Sequence, residues 1–252
     1  MKSLEQTLDI RTMNSDLCGV WRPSAILEAC QEIAGDHSET MGLGRKELLE
    51  KNLVWILSRN EVEILRYPAI GQKIRIETFH RPNRHWFFPR YFVFRTMDSR
   101  EILGYCGSMW VLMDLETRKA VSGREIAALM PDNSDMEPPM DHLPSMVHET
   151  AGDCETHICR PVYSDLDANM HVNNARYLDW VCNSLGIECM EKNEIGHFVI
   201  NYDAEILPDQ QVELRLKREG DRFSVSGSRD GVSCFAVEGS LRARQHKPIG
   251  IT

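Results

Sequence analysis

Residues Ser164–Trp180 read SDLDANMHVNNARYLDW and place three aspartates, one histidine and three asparagines within seventeen positions. The spacing then turns apolar at Leu178, Val181, Cys182 and Leu185, the period of one helix face. Asp and Asn favour turns and helix N-caps because their short side chains bond nearby backbone N–H groups. Asn173 or Asn174 is therefore expected to start the helix. Asp167, Asn169 and His171 alternate, and in an extended segment alternate residues point to one side. That arrangement would aim a carboxylate, an amide and an imidazole at one point beside a helix N-terminus. Free N–H donors and positive potential there suit a developing oxyanion or an attacking water. His171 taken alone reads as a structural histidine; the case for a site is the convergence of unlike groups.

Working outward, the segment PDNSDMEPPMDHLPSMVHET carries Pro131, Pro138, Pro139 and Pro144, a composition that breaks helices and strands and suits an extended connection. Residues 131–156 are taken as a linker between an N-terminal half, 1–130, and a C-terminal half, 157–252. Before the linker, Ile26, Cys30, Ile33, His37 and Met41 follow helical spacing after Pro23. Runs rich in Val, Ile, Phe, Tyr and Trp follow at Val54–Ile64, Lys73–Phe79, Trp86–Thr96 and Ile102–Asp114 and read as strands. After the linker the order returns, with strands expected near His197–Ile206, Val212–Arg218, Arg222–Ser228 and Cys234–Arg244. EGDR and RDGV are hairpin signals between the last three. Two local matches suggest a duplication: SDL at Ser15–Leu17 and Ser164–Leu166, and VEIL at Val62–Leu65 against AEIL at Ala204–Leu207. Counted from SDL, the positions of Asp167, Asn169 and His171 fall on Cys18, Val20 and Arg22 in the first half.

The composition narrows the classes of function. A net charge of −9 argues against non-specific nucleic-acid binding, which relies on a basic surface. The seven acids between Pro131 and Ile158, where no Lys or Arg stands, account for most of the excess. The start of the chain lacks the apolar stretch of a secretory signal, and no run approaches the ~20 apolar residues of a membrane span. Eight scattered cysteines, without a C-x-x-C pair, read as reduced thiols of a cytoplasmic protein. No cofactor is expected, and no metal, because the nine histidines form no H-x-x-x-H pair. Serine-hydrolase elbows, phosphate loops and dinucleotide fingerprints are absent from the sequence. HRPNRHWFFPRYFVFR, His80–Arg95, reads as a strand pair with core on one face and an anion-friendly surface on the other.

SDLDANMHVNNARYLDWV resembles the D-x-N-x-H-V-N-N signature of the plant-type acyl-[acyl-carrier-protein] thioesterases and their bacterial relatives. WVLMD followed by ETRKAVSG is similar to that family's W-V-M-x-N-x-x-T-R-R, and INYDAEI stands where the family has L-E-Y-R-R-E-C. The resemblance implies an α+β tandem double hotdog, each half a curved antiparallel sheet wrapped around a long helix. It implies hydrolysis of fatty acyl-[acyl-carrier protein], releasing the free fatty acid and ending chain elongation. Carried over residue by residue, the catalytic set is Asp167, Asn169, His171 and Glu205, in the C-terminal half. Ile206 occupies the position where some members have cysteine, so a thiol nucleophile there is excluded. Glu205 and His171 would then activate water, with Asn169 and the helix N-terminus binding the thioester oxygen. Asp167 would orient His171 or attack the carbonyl itself. The N-terminal half is expected to supply the acyl pocket, with Ile26, Cys30, Ile33, Trp55 and Leu57 as liners. Arg81, Arg84 and Arg90 are the expected docking residues for the acidic carrier protein. A homodimer is compatible with the sequence. The alternatives are an acyl-CoA thioesterase of the hotdog class and a non-catalytic acyl-ligand binder on the same fold.

Overall fold

The computed structural model describes residues 1–246 and divides into two compact units. The last six positions of the expected C-terminal half, 247–252, lie outside the described residues. The units are not contiguous halves. The first comprises Met1–Asp9, Ala29–Arg66 and Gln72–Ser145; the second takes Ile10–Glu28, Tyr67–Gly71 and the chain from Met146 onward.

In the first unit, β1 (Ser3–Asp9), β2 (Leu53–Ile64), β3 (Lys73–His80), β4 (Phe87–Thr96) and β5 (Ile102–Asp114) form an antiparallel sheet in the order β1-β3-β4-β5-β2. A short β6 (Lys119–Ala120) pairs with β5. The helices are α1 (Pro23–Thr40), whose first turn belongs to the second unit, α2 (Arg45–Leu49) and α3 (Arg124–Leu129). Strand β4 is buried without interruption from Phe88 to Phe94, and the reason is that both faces are covered. Arg90 meets His37 and Ser38 of α1, whereas Tyr91, one residue on, packs against Met140 of the proline-rich connection. The connection is thus a fixed strap. The Arg81 guanidinium donates to the carbonyls of Asn133, Ser134 and Met136, and Asn133 Nδ2 donates to the carbonyls of Lys2 and His80. The nearly buried Glu61 carboxylate accepts the Ser145 N–H at 3.2 Å and lies 3.0 Å from His142 Nε2.

In the second unit, β7 (Glu155–Cys159), β8 (Asn193–Tyr202), β9 (Val212–Glu219), β10 (Arg222–Arg229) and β11 (Val232–Ala243) pair antiparallel in the order β8-β11-β10-β9-β7. Strand β7 begins inside the expected linker. Across this sheet lie α4 (Arg176–Leu185) and α5 (Ile187–Lys192). The helix α4 buries Tyr177, Leu178, Trp180, Val181 and Leu185, one apolar stripe, and stops at Gly186, whose φ of +85° is open to glycine and disfavoured for other residues. The Tyr177 ring stacks on Phe235 of β11, with centroids 4.5 Å apart and planes 8° from parallel. Gly227 on the neighbouring β10 makes room for this, because a Cβ there would run into the Phe235 ring.

Candidate active site

The loop before α4 is a tight hairpin tip rather than the extended segment expected from the alternation. The Asp167 N–H donates to the His171 carbonyl at 2.8 Å, and the Met170 N–H to the Asp167 carbonyl at 3.0 Å. Met170 takes a φ of +62°, and Leu166 and Val172 form a bridge on either side. The Asp167 side chain holds this turn together. Its Oδ1 accepts the N–H groups of Asn169 (2.8 Å) and His171 (3.2 Å), and its Oδ2 accepts the Asn169 amide at 3.3 Å. Asn173 follows with its N–H on the Asp165 carbonyl and its Oδ1 accepting the Ala175 N–H at 2.9 Å, so it leads into α4 as a cap.

The Val172 N–H donates to the carbonyl of Ile206, and this one bond fixes the loop against the segment that carries Glu205. Glu205 lies three residues past the end of β8, not on a strand as its sequence context suggested. Its Oε2 comes 3.7 Å from His171 Nδ1, with the histidine side chain 32 % and the glutamate 41 % exposed. That separation is an ion-pair distance and too long for a hydrogen bond. Neither ring nitrogen of His171 has a hydrogen bond among the described residues. The imidazole is held in place through its backbone, and its chemistry is left open to a ligand or water. All four members of the expected set are therefore brought to one place.

The same backbone occurs a second time, around Asp16. Asp16 N–H donates to the Val20 carbonyl at 2.8 Å, Gly19 N–H to the Asp16 carbonyl at 3.0 Å, and Asp16 Oδ1 accepts Cys18 N–H (2.9 Å) and Val20 N–H (3.2 Å). Arg22 N–H bonds the Asn14 carbonyl, as Asn173 N–H bonds that of Asp165. Trp21 N–H bonds the Pro68 carbonyl, as Val172 N–H bonds that of Ile206. Bond for bond, Asp167, Asn169 and His171 correspond to Asp16, Cys18 and Val20. The register read from the repeated SDL, which paired them with Cys18, Val20 and Arg22, is two residues out. The VEIL and AEIL match is also out of register. Leu65 and Arg66 share the Leu103 carbonyl as Asp203 and Ala204 share that of Cys234, which makes Tyr67 the counterpart of Glu205.

The other expected residues fall into different settings. Ile26, Cys30, Ile33 and Leu57 are buried. Trp55 sits edge-on to Phe88 at 4.9 Å and donates to the Leu43 carbonyl at 3.3 Å, in a cluster with Leu43, Leu48, Leu112 and Ile126. Two open cavities, of about 560 Å3 beside the Asp16 loop and about 320 Å3 beside Arg81 and Arg84, include none of these five. Arg90 is corrected: it is 5 % exposed and bonds His37 Nδ1 (2.9 Å), Thr78 Oγ1 (3.2 Å) and Ser38 Oγ (3.4 Å), so it faces α1 and cannot meet a docking protein. Burial holds its guanidinium down to about 10, and the same burial, with Arg90 beside them, pushes His37 and His80 down to about 4. Arg81 is committed to the strap, and Arg84 remains exposed. Among the described residues no group of three or more His, Cys, Asp or Glu is placed to hold a metal ion, and no helix is long and apolar enough to cross a membrane.

The profile of the acyl-ACP thioesterase N-terminal domain matches residues 1–128, and that of the C-terminal domain matches residues 148–237. The chain belongs to the acyl-ACP thioesterase family. It is 27% identical over 201 residues to the chloroplastic dodecanoyl-[acyl-carrier-protein] hydrolase of Cinnamomum camphora, a match covering 75% of this chain and 52% of that protein. It is likewise 27% identical over 195 residues to the chloroplastic palmitoyl-acyl carrier protein thioesterase of Gossypium hirsutum, covering 71% and 46%. The chain thus spans about half the length of these curated relatives. Among solved structures it superposes on an acyl-ACP thioesterase from Bacteroides thetaiotaomicron with a TM-score of 0.84, 24% identity and coverage of 96% and 98%. The 12:0-ACP thioesterase from Umbellularia californica gives 0.81, 23%, and 97% and 98%. These likenesses carry the fold, the α+β double hotdog expected from the resemblance.

Proposed function

We propose that this chain hydrolyses the thioester of a fatty acyl group on acyl-carrier protein, releasing free fatty acid. The observation that carries the reading is the meeting of Asp167, Asn169 and His171 with Glu205 at one loop, in a chain of this family. Glu205 and His171 flank a position for water, draw off its proton as its oxygen attacks the thioester carbon, and return that proton to the departing thiolate. General acid–base transfer of this kind contributes about 10²–10⁴-fold. The Asn169 amide and the positive end of the α4 dipole face the carbonyl oxygen as it gains charge. Both Asp167 oxygens are already engaged by the loop, which favours a positioning role for it over nucleophilic attack. The buried residues Ile26, Cys30, Ile33 and Leu57 are the proposed acyl-chain liners, and Arg84 the remaining proposed contact to the acidic carrier. Eight free thiols fit a reducing compartment, and we place the reaction in the cytoplasm.

The test is release of free fatty acid from one acyl chain presented on acyl-carrier protein and on coenzyme A. The carrier protein should be the better substrate by kcat/KM. His171→Ala should lower kcat by at least about 100-fold without unfolding the chain. Full activity in that variant, or none in the wild type on either carrier, would refute the reading.

A further inference from the structure

The cavity of about 560 Å3 beside the Asp16 loop has the size of a small-molecule site, typically about 300–1,000 Å3, and every residue lining it belongs to the second unit. Its charges balance, Arg22 and Arg244 against Asp16 and Asp179, but its hydrogen-bonding groups do not. Both carboxylates are spent within the chain. Asp16 accepts two backbone N–H groups at Oδ1 and Arg244 Nη1 at Oδ2, the last at 2.7 Å. Asp179 accepts the Ser24 hydroxyl at Oδ1 (2.6 Å) and Arg176 Nη1 at Oδ2 (2.9 Å). The Arg22 guanidinium is not spent. Its Nε is buried, stands 3.6 Å from the Asp179 oxygen that Ser24 already holds, and has no hydrogen-bond partner. The rest of the guanidinium donates no hydrogen bond either among the described residues. A buried donor left unpaired costs its desolvation, so a ligand that answers it is favoured. Burial pushes the Cys182 thiol, also in the lining, up to about 12, so it stays neutral and adds no negative charge.

Apolar residues share the lining. Leu17 and Ile187 stand there 45 % and 74 % exposed, a grouping of apolar side chains in water that marks binding surfaces more than scattered ones do. An unanswered cation beside apolar surface fits an anion with an aliphatic tail. The planar guanidinium fork matches a carboxylate, whereas a doubly charged phosphate would meet the two lining aspartates with only one unspent cation. The comparison of the two loops supplies an independent observation. Arg22 holds in this copy the place that Asn173 holds in the other, so the copy without the catalytic set carries a cation where the other carries a neutral cap. The cavity shares no lining residue with the candidate active site.

We propose that this cavity is a second ligand site, which binds a carboxylate bearing an aliphatic tail, its head on Arg22 and its tail along Leu17 and Ile187. The free fatty acid of the proposed reaction is a ligand of this class, but the binding stands by itself and is measured without turnover. The test is equilibrium dialysis of the full chain against labelled dodecanoate, kept below the concentration at which it forms micelles. Arg22→Gln removes the charge, and Ile187→Glu sets a carboxylate at an exposed position beside the tail; each should weaken binding by about 10-fold or more. Dodecanol, which keeps the tail and lacks the charge, should bind the wild type about 10-fold more weakly than dodecanoate or worse. In both variants kcat/KM on acyl-carrier substrate should stay within a factor of two, because neither residue belongs to the catalytic set. Dodecanoate binding that either folded variant leaves unchanged overturns the proposal, since the ligand then sits elsewhere. No binding to the wild type, or equal binding of dodecanol, overturns it too, as does a fall of kcat/KM in both variants in step with the binding. Should Arg22→Gln fail to fold, Ile187→Glu decides alone. A wild-type chain that is inactive on both carriers, yet binds dodecanoate with these dependences, overturns the thioesterase reading and leaves this site standing.

Discussion

Two loops of this molecule share a backbone and differ in what they carry. Around Asp16 and around Asp167 the same turn is closed by the corresponding carbonyl, the same aspartate oxygen accepts the corresponding two N–H groups, and a helix follows within ten residues, at Pro23 and at Arg176. One loop then displays Asn169 and His171 beside Glu205; the other has Cys18 and Val20, 3 % and 1 % exposed, and Tyr67, whose hydroxyl donates to the Ile195 carbonyl. The difference extends to the aspartate. Asp167 uses its second oxygen on the Asn169 amide, whereas Asp16 uses its own on Arg244, a side chain 3 % exposed. The lesson is that a conserved turn is scaffold, and the chemistry lies in what the turn leaves unbonded. In the Asp16 loop the counterparts of Asn169 and His171 are the buried side chains of Cys18 and Val20; in the candidate site the His171 imidazole is partly exposed and stands 3.7 Å from Glu205.

The largest effects should come from making one change in both aspartates. Asp167→Asn keeps an acceptor for the two backbone N–H groups but turns an amide toward the amide of Asn169. That would push Asn169 aside and lower kcat by about 10²–10³-fold, the size of losing one oxyanion donor. Its stability should stay within about 1 kcal/mol of wild type. Asp16→Asn should do the reverse. It strips the carboxylate from the buried Arg244, at a cost of about 3 kcal/mol, the lower end for breaking a buried pair, because the carbonyls of Met190 and Asn193 still accept from the guanidinium. Its kcat/KM should remain near wild type. Urea titrations and steady-state rates on both variants check this, and a catalytic loss in Asp16→Asn would mean that the two loops are coupled.

The histidines divide along the same line. His171 is partly open and unbonded at its ring, whereas His37 and His80 are sealed in the first unit with their Nε2 atoms 3.2 Å and 3.0 Å from the carbonyls of Met1 and Pro131. Burial lowers both of the latter from 6.5 to about 4. Below about pH 6.5 the unfolded chain takes up a proton at each, and the folded chain does not until about pH 4. Stability is therefore present in full above that window and is lost as the pH falls through it. The slope is up to about 1.4 kcal/mol per pH unit for each histidine. Tm recorded between pH 7 and 4.5 should drop less steeply in His80→Gln than in wild type; parallel curves would show that His80 does not carry the effect.

The sequence makes some of this plain and hides the rest for physical reasons. The aromatic and β-branched runs locate β2 to β5 and β8 to β11 within a few residues, because those strands bury side chains. Strand β1, SLEQTLD, and strand β7, ETHIC, are missed, since each is an edge strand with much of its surface in solvent, held through backbone pairing to β3 and β9. Asp167, Asn169 and His171 are visible as a cluster, but the expected extended backbone is a turn, set by hydrogen bonds that no local pattern announces. Glu205 came from the resemblance, because its approach to His171 depends on a bond between residues 172 and 206, far apart in the chain.

The smallest effect concerns how the two helices begin. Every helix start leaves N–H groups without an intrahelical partner, and the two copies answer this differently. Helix α1 opens on Pro23, which has no N–H to satisfy and a φ already suited to a first turn. Its predecessor Arg22, facing Asp179 at 3.6 Å, does no capping through its side chain. Before α4, the Asn173 carboxamide oxygen accepts the Ala175 N–H. Asn173→Ala should therefore cost about 1 kcal/mol of stability, the usual loss for an N-cap, whereas Arg22→Ala has no cap to lose. Asn173→Ala also frees the start of the helix that the proposed site uses for the carbonyl oxygen, so a small fall in kcat should accompany the stability loss. Equal stability losses in Asn173→Ala and Arg22→Ala would mean that the ion pair with Asp179 matters to α1 as much as a cap does to α4, and that the two helix starts are equivalent after all.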